Sequence, residues 1–186
     1  MPTAIVPAAG QSARFGSMKL FADIDGVVLV DRTIGSLLDA GAARVLVVCT
    51  GVEALSRASL AGDPRVRIVV NPHPERGMFS SIQTGLAEAG DGDLLVLPAD
   101  MPFVRSDTIR LVAERLRQTD AVVVPGIGLR RGHPVGIPSR LRLPLVALRP
   151  DSSLKDALRQ LDDAFEILEV DDSGILRDVD VPADLQ

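Results

Sequence analysis

Thr3-Ala-Ile-Val-Pro-Ala-Ala-Gly-Gln-Ser-Ala-Arg-Phe-Gly-Ser-Met-Lys19 opens on an apolar strand and runs into a loop of small residues. Gly10 and Gly16 let the backbone turn sharply and approach a ligand. Ala8, Ala9 and Ser12 keep the loop thin, Gln11 adds an amide, and Arg14 and Lys19 supply positive charge. A strand feeding such a loop makes a cradle for a triphosphate, held by backbone amides and two cations. Two better-known glycine loops do not fit. Five residues separate Gly10 from Gly16 and the lysine comes three positions later, which is not a Walker spacing, and no G-x-G-x-x-G run occurs.

Outward from this segment, apolar runs rich in β-branched residues recur at Arg44–Cys49, Val66–Val70, Asp93–Leu97 and Ala121–Pro125. Between them lie amphipathic patterns: Leu29–Ala40 closing at Gly41, Phe79–Ala89 before Gly90, and Ser106–Gln118. Near-continuous apolar strands joined by such helices predict a parallel sheet covered on both faces. Ligands of such sheets bind beyond the carboxyl ends of the strands. Three candidate segments fall there: the opening loop, Asn71–Gly77 and Pro98–Pro102. The last third predicts a short strand at Pro134–Pro138, helices at Leu141–Leu148 and Ser153–Leu161, and a strand at Phe165–Val170. Ser153 and Asp156 have the spacing of a capping box.

Composition bounds the function. A chain of 186 residues with 46% hydrophobic and 24% charged residues suits one globular domain, residues 1–186. A net charge of −5 argues against a polyanion partner held by long-range attraction, and the absence of Trp and Tyr removes base-stacking platforms, so no nucleic-acid partner is expected. Cys49 is the only cysteine, which excludes a disulfide within the chain, and its apolar run reads as a buried strand. With two distant histidines, His73 and His133, and no cysteine pair, zinc is not expected. No apolar stretch reaches membrane-spanning length and no leader-like segment follows Met1, so a cytoplasmic protein without membrane association is expected.

Several residues could carry chemistry. Asp100 follows a buried strand between Pro98 and Pro102, where a hard oxygen ligand suits Mg²⁺; a turn or cap role is the alternative. Asp178, Asp180 and Asp184 offer a second source of carboxylates or a solvated acidic tail. Ser80 and Ser81 stand at the start of a helix, as caps or as ligand contacts. Arg130 and Arg131 are a basic spot in a loop, solvated or facing an anion, and His133 beside them is structural or a phosphate contact.

The pattern A-A-G-x-S-x-R-x-G-x-x-K resembles the signature loop of the MobA-like NTP transferases. Asp100-Met-Pro102 matches that family's D-M-P, and Asp178-Val-Asp180-Val-Pro-Ala-Asp184 its terminal D-[IV]-D-x-P-x-D. Gly77–Gly85 and Gly132-His-Pro-Val135 resemble segments of its molybdenum cofactor cytidylyltransferase branch. The resemblance implies a three-layer α/β/α Rossmann-like sandwich of the nucleotidyltransferase (nucleotide-diphospho-sugar transferase) type, mostly parallel with one antiparallel strand. It implies transfer of CMP from CTP, or another NTP, to the phosphate of a molybdopterin-type acceptor, with release of pyrophosphate. Carried over by position, the catalytic residues are Arg14, Lys19 and Asp100, and Asp100 and Asp180 hold Mg²⁺. Nucleotide contacts fall to Ala8, Ala9, Gly10, Gln11, Ser12, Arg14, Lys19 and Ser81, with Ser80 as the helix cap. Acceptor contacts fall to Arg131 and His133. A transient contact with a molybdoenzyme or its chaperone follows from the same resemblance. Two other readings stay open: the same cradle serving a sugar or polyol phosphate with CTP or GTP, and a non-catalytic nucleotide-binding or cofactor-carrying module.

Overall fold

A computed structural model describes residues 2–8, 16–51, 55, 58–180 and 184, and for residues 16–18 the backbone only. The elements are, in chain order, β1 (Thr3–Pro7), β2 (Asp23–Ile24), β3 (Val27–Val28), α1 (Leu29–Asp39), β4 (Arg44–Cys49), β5 (Val66–Val70), α2 (Met78–Glu88), β6 (Leu94–Val96), α3 (Ser106–Leu116), β7 (Val122–Ile127), β8 (Arg130–Arg131), β9 (Val135–Ile137), α4 (Arg142–Ala147), α5 (Leu154–Gln160) and β10 (Phe165–Glu169). Short 3-10 turns join several of them.

The main sheet runs β10-β7-β9-β6-β1-β4-β5, with β8 attached to β7. β1 lies inside it, parallel to both β4 and β6, because Ala4, Ile5 and Val6 leave no polar side chain to solvate on either face. All three are fully buried. One face packs under α1 and α3 through Val30, Ile34, Leu37, Ile109, Val112 and Leu116. The other packs under α2, α4 and α5 through Phe79, Ile82, Leu86, Leu145 and Leu158. These two apolar layers make the sandwich that alternating strands and amphipathic helices require. The Gln83 amide fastens α2 to the end of α4 by donating to the carbonyls of Leu145 and Leu148, at 2.9 and 2.8 Å.

β9 is reversed. It pairs antiparallel with β6 on one side and β7 on the other, and β8 folds back antiparallel on β7. The segment before β9 therefore lies at the same sheet edge as the segments after β1 and β6. In the last helix Ser153 accepts a hydrogen bond from the Asp156 amide at 3.1 Å, one arm of the capping box read from the sequence, and its hydroxyl donates to Asp156 Oδ2 at 2.6 Å. Among the described residues no helix is long and apolar enough to cross a membrane.

Candidate active site

The site starts from the parallel ladder. The Leu97 amide donates to the Ile5 carbonyl and the Ala99 amide to the Pro7 carbonyl, at 3.1 and 3.2 Å, so the chain after β6 stays in register with β1 until Asp100. The Thr33 hydroxyl on α1 donates to the Ala99 carbonyl at 3.0 Å and fixes this turn from below. Asp100 is thus delivered to the rim beside the start of the opening loop. Ala8, the first residue of that loop, is held by a bond from its amide to the Val48 carbonyl at 2.7 Å. Ala9, Gly10, Gln11, Ser12 and Arg14 lie outside the described residues.

Lys19 returns to this rim on a 3-10 turn, Gly16–Phe21. Only 6% exposed, its ammonium donates to Asp100 Oδ2 at 3.0 Å and to Asp180 Oδ1 at 2.9 Å. Burial is the largest influence on its pKa and lowers it. The hydrogen bonds and charges of Asp180 and Asp100 together outweigh burial and hold the ammonium above its ordinary value. Lys19 is charged at neutral pH. Two carboxylates separated by 80 positions in sequence therefore share one cation.

Asp180 reaches this place on a strap formed by residues 172–180. Asp172, 4% exposed, anchors one end of it to α3. Its Oδ2 accepts from the Arg105 amide at 3.0 Å and the Thr108 hydroxyl at 2.7 Å, and its Oδ1 accepts from the Gly174 amide at 3.1 Å. A carboxylate placed there also complements the positive end of the α3 dipole. At the middle of the strap the Ile175 carbonyl accepts from the His133 amide at 3.0 Å, and at the far end the Val179 amide donates to the Asp100 carbonyl at 2.9 Å. Gly132 and Gly174 permit this closeness: a Cβ at the first would collide with the Ile175 carbonyl, and at the second with the Phe103 carbonyl. The Arg177 guanidinium stacks on Phe103, 3.8 Å from the ring centre.

Between the strap and the β8–β9 segment lies a cleft of about 530 Å³. Arg130, Arg131, His133, Asp100 and Asp178 supply its polar lining, and Met78, Pro98, Met101, Ile175 and Leu176 its apolar surface. Arg130 and Arg131, read from the sequence as a loop, form the short strand β8. Arg131 also lies over the Phe165 ring at 5.2 Å, which limits where its charge can go. The cleft thus brings Asp100, Arg131 and His133 together, and Lys19 joins Asp100 to Asp180.

His133 has its pKa pushed down to about 4 by burial, with the Asp100 charge pulling weakly the other way. It is neutral through the physiological range, so it can offer a ligand an N–H donor but no positive charge. An unfolded chain takes up this proton near pH 6.5 and the folded one only near 4. The stability tied to the neutral form is therefore complete above about pH 6.5 and is lost as the pH falls toward 4. The His133 ring resonances are expected to titrate near pH 4 by NMR; a midpoint above about 6 would contradict the burial argument.

Ser81 is buried, and its hydroxyl accepts from the Asn71 side-chain amide at 2.9 Å. Ser80 differs from its expected role. Its hydroxyl donates to the Gly77 and His73 carbonyls and accepts from the same Asn71 amide, while the α2 cap residue is Gly77 with no side-chain cap. The correction has a physical reason: Ser80 already lies within the first turn, where its hydroxyl reaches back to the preceding carbonyls. Asn71 was not singled out as a functional residue in the sequence. It is 2% exposed, binds both serines, and accepts from the His73 amide at 2.9 Å, so it sets the whole Asn71–Gly77 segment. Its signal was an asparagine directly after an apolar strand and before a proline, a position that favours a side chain bonding its own backbone. Asp172 was also missed, although Asp172-Ser-Gly174 has the spacing of the Asx turn that it forms.

A mostly parallel sheet with a shared carboxylate pair, a buried lysine and a cleft lined by both arginines and carboxylates beyond its strand ends has the form of a nucleotidyltransferase. A family model described as the MobA-like NTP transferase domain matches residues 4–164. The chain belongs to the MobA-like NTP transferase family. Among curated relatives, the 2-C-methyl-D-erythritol 4-phosphate cytidylyltransferase of Rhodococcus jostii is 31% identical over 93% of this chain and 80% of its own length. The molybdenum cofactor cytidylyltransferase of Escherichia coli is 26% identical over 97% and 91%. The bifunctional protein GlmU of Rhizorhabdus wittichii is 34% identical over 68% of this chain, and the match spans 28% of GlmU's length. In structure, Rv0371c from Mycobacterium tuberculosis H37Rv superposes with a TM-score of 0.83 at 23% identity, over 98% of this chain and 94% of that one. The same protein is also known as a manganese complex, with a TM-score of 0.79 at 22% identity over the same shares of the two chains.

Proposed function

We propose that the chain transfers CMP from CTP to the phosphate of a molybdopterin-type acceptor, releasing pyrophosphate. The observation that carries this is that Arg130, Arg131 and His133 line the same cleft as Asp100, whose carboxylate is joined to Asp180 through Lys19. An incoming phosphate on the two arginines meets an α-phosphate held beside the carboxylate pair.

The residues also suit a divalent cation. Asp100 and Asp180 each place a carboxylate oxygen within 3.0 Å of the same positive charge, and among the described residues no group of three or more metal-type ligands exists. A hard ion that takes two carboxylates and completes its shell with phosphate oxygens and water, as Mg²⁺ does, matches that donor set. When bound it supplies charge neutralisation at the phosphates.

In the transfer, an oxygen of the acceptor phosphate forms a bond to the α-phosphorus as the bond to the bridging oxygen breaks, and pyrophosphate leaves with the electron pair. No protein nucleophile is needed, so the chain's work is positioning and electrostatics. Lys19 and Arg14 offset charge growing on the leaving group. Arg130 and Arg131 hold the acceptor phosphate against repulsion by the triphosphate, and neutral His133 orients it by one hydrogen bond. Asn71 and Ser81 support the nucleoside side of the loop cluster.

A polyol phosphate acceptor is the second reading, favoured by the 31% identity to a methylerythritol phosphate cytidylyltransferase over most of the chain. Pyrophosphate release measured with each NTP in turn separates the readings. We expect kcat/KM for CTP to exceed that for GTP by at least about tenfold, as loss of base-specific hydrogen bonds would cost, and release to require molybdopterin. Release that needs methylerythritol phosphate instead would replace the acceptor, and nucleotide binding without any release would favour a non-catalytic module.

A further inference from the structure

We propose that Lys19 is an internal stand-in for the metal: in the free protein its ammonium holds the cation position between Asp100 and Asp180, and it gives way only when metal and polyphosphate arrive together. The inference rests on the reading of these two carboxylates as the metal pair. The geometry is that of one cation between two ligands, at 3.0 and 2.9 Å, with the ammonium almost wholly buried. A bare divalent ion entering this place would meet a resident positive charge that has no other described carboxylate partner within reach of a salt bridge. A nucleotide removes the conflict, because its phosphates offer the ammonium new acceptors as they bring the metal in.

The order of binding follows. Metal alone is disfavoured, metal with nucleotide is favoured, and by reciprocity each raises the other's affinity by the same factor. The device also keeps Asp100 and Asp180 from repelling one another in the empty protein, so the carboxylate pair and the strap stay assembled between turnovers.

The sequence makes the test clean, since Lys19 and Lys155 are the only lysines. Lys155 is exposed, and an exposed ammonium exchanges its protons with water quickly, whereas a buried ion-paired one retains a separate NMR signal. We expect the Lys19 ammonium signal to be unchanged by Mg²⁺ alone and to shift when Mg²⁺ and CTP are added together. A shift with Mg²⁺ alone overturns the proposal, as does a fixed signal while Mg²⁺ and CTP together perturb the amides of Ala8 and Asp100. Mn²⁺ binding without nucleotide, followed by electron paramagnetic resonance, gives a second readout. Lys19→Gln is expected to bind Mn²⁺ at least about tenfold more tightly than the wild type, within the usual span of coupling between sites; equal affinity overturns the proposal. If Mg²⁺ with CTP perturbs no amide, the cleft is not a CTP site, and the Mn²⁺ comparison alone decides the role of Lys19.

Discussion

Lys19→Ala and Asp100→Ala are each expected to lower NTP-dependent pyrophosphate release by a factor of about 10² to 10³ or more, the scale set by loss of one preorganised charge at a transition state. The fold should survive both changes. Asp100 and Asp180 have side chains 26% and 62% exposed, so water can solvate them once the ammonium is gone. Asp100→Ala leaves the Lys19 ammonium its hydrogen bond to Asp180, so neither variant strands a buried charge without a partner. Circular dichroism and a melting point within a few degrees of wild type would separate a chemical defect from unfolding. Near-normal release by either variant would remove that residue from the mechanism. The two should also differ in a telling way: Lys19→Ala loses turnover while gaining metal affinity, and Asp100→Ala loses both.

The second large effect belongs to a residue outside the chemistry. Asp172→Ala takes the acceptor from three donors, the Arg105 and Gly174 amides and the Thr108 hydroxyl, and leaves them around a buried site. Charged hydrogen bonds of this kind contribute about 1.5–3 kcal/mol each in favourable cases, and their losses are not additive. We expect a destabilisation of about 3–4 kcal/mol, read as a fall in melting temperature of about 10 °C for a chain of this size. Turnover at a temperature where the variant is still folded should also fall, because the strap carries Asp178 and Asp180. Asp172→Asn keeps one acceptor oxygen and should recover part of both losses. An unchanged melting point for Asp172→Ala would mean the strap is held elsewhere.

These two predictions divide what was legible in the sequence from what was not. The helix at Ser106–Leu116 and the strands at Arg44–Cys49 and Val66–Val70 follow from local apolar periodicity, and their observed bounds lie within two residues of those expected. Asp100 was readable as well, because a buried strand delivers its next residue to a sheet edge. The family resemblance implies one antiparallel strand without saying which, and the sheet has two, β8 and β9. Three residues, Val135–Ile137, carry no orientation in their own pattern, and it is their pairing with β6 and β7 that defines it. The hairpin β2–β3 was missed although Asp25-Gly26 is a strong turn signal, since its strands have two residues each. Lys19 was assigned to phosphates from its place in the loop. Its bond to Asp180 joins positions 161 apart, which no local pattern encodes.

The reversed strand has an architectural consequence. Because β9 runs against its neighbours, the Asp100 side of the cleft hangs from β1 and β6, while Arg130, Arg131 and His133 hang from the turn between β7 and β9. The two sides meet along the β6–β9 ladder and again through the strap, at the Ile175 carbonyl and the Asp100 backbone. On the proposed reading, residues 126–134 are the segment to exchange in retargeting the cleft to a new acceptor, and any graft must keep Gly132, where a Cβ would collide with the Ile175 carbonyl.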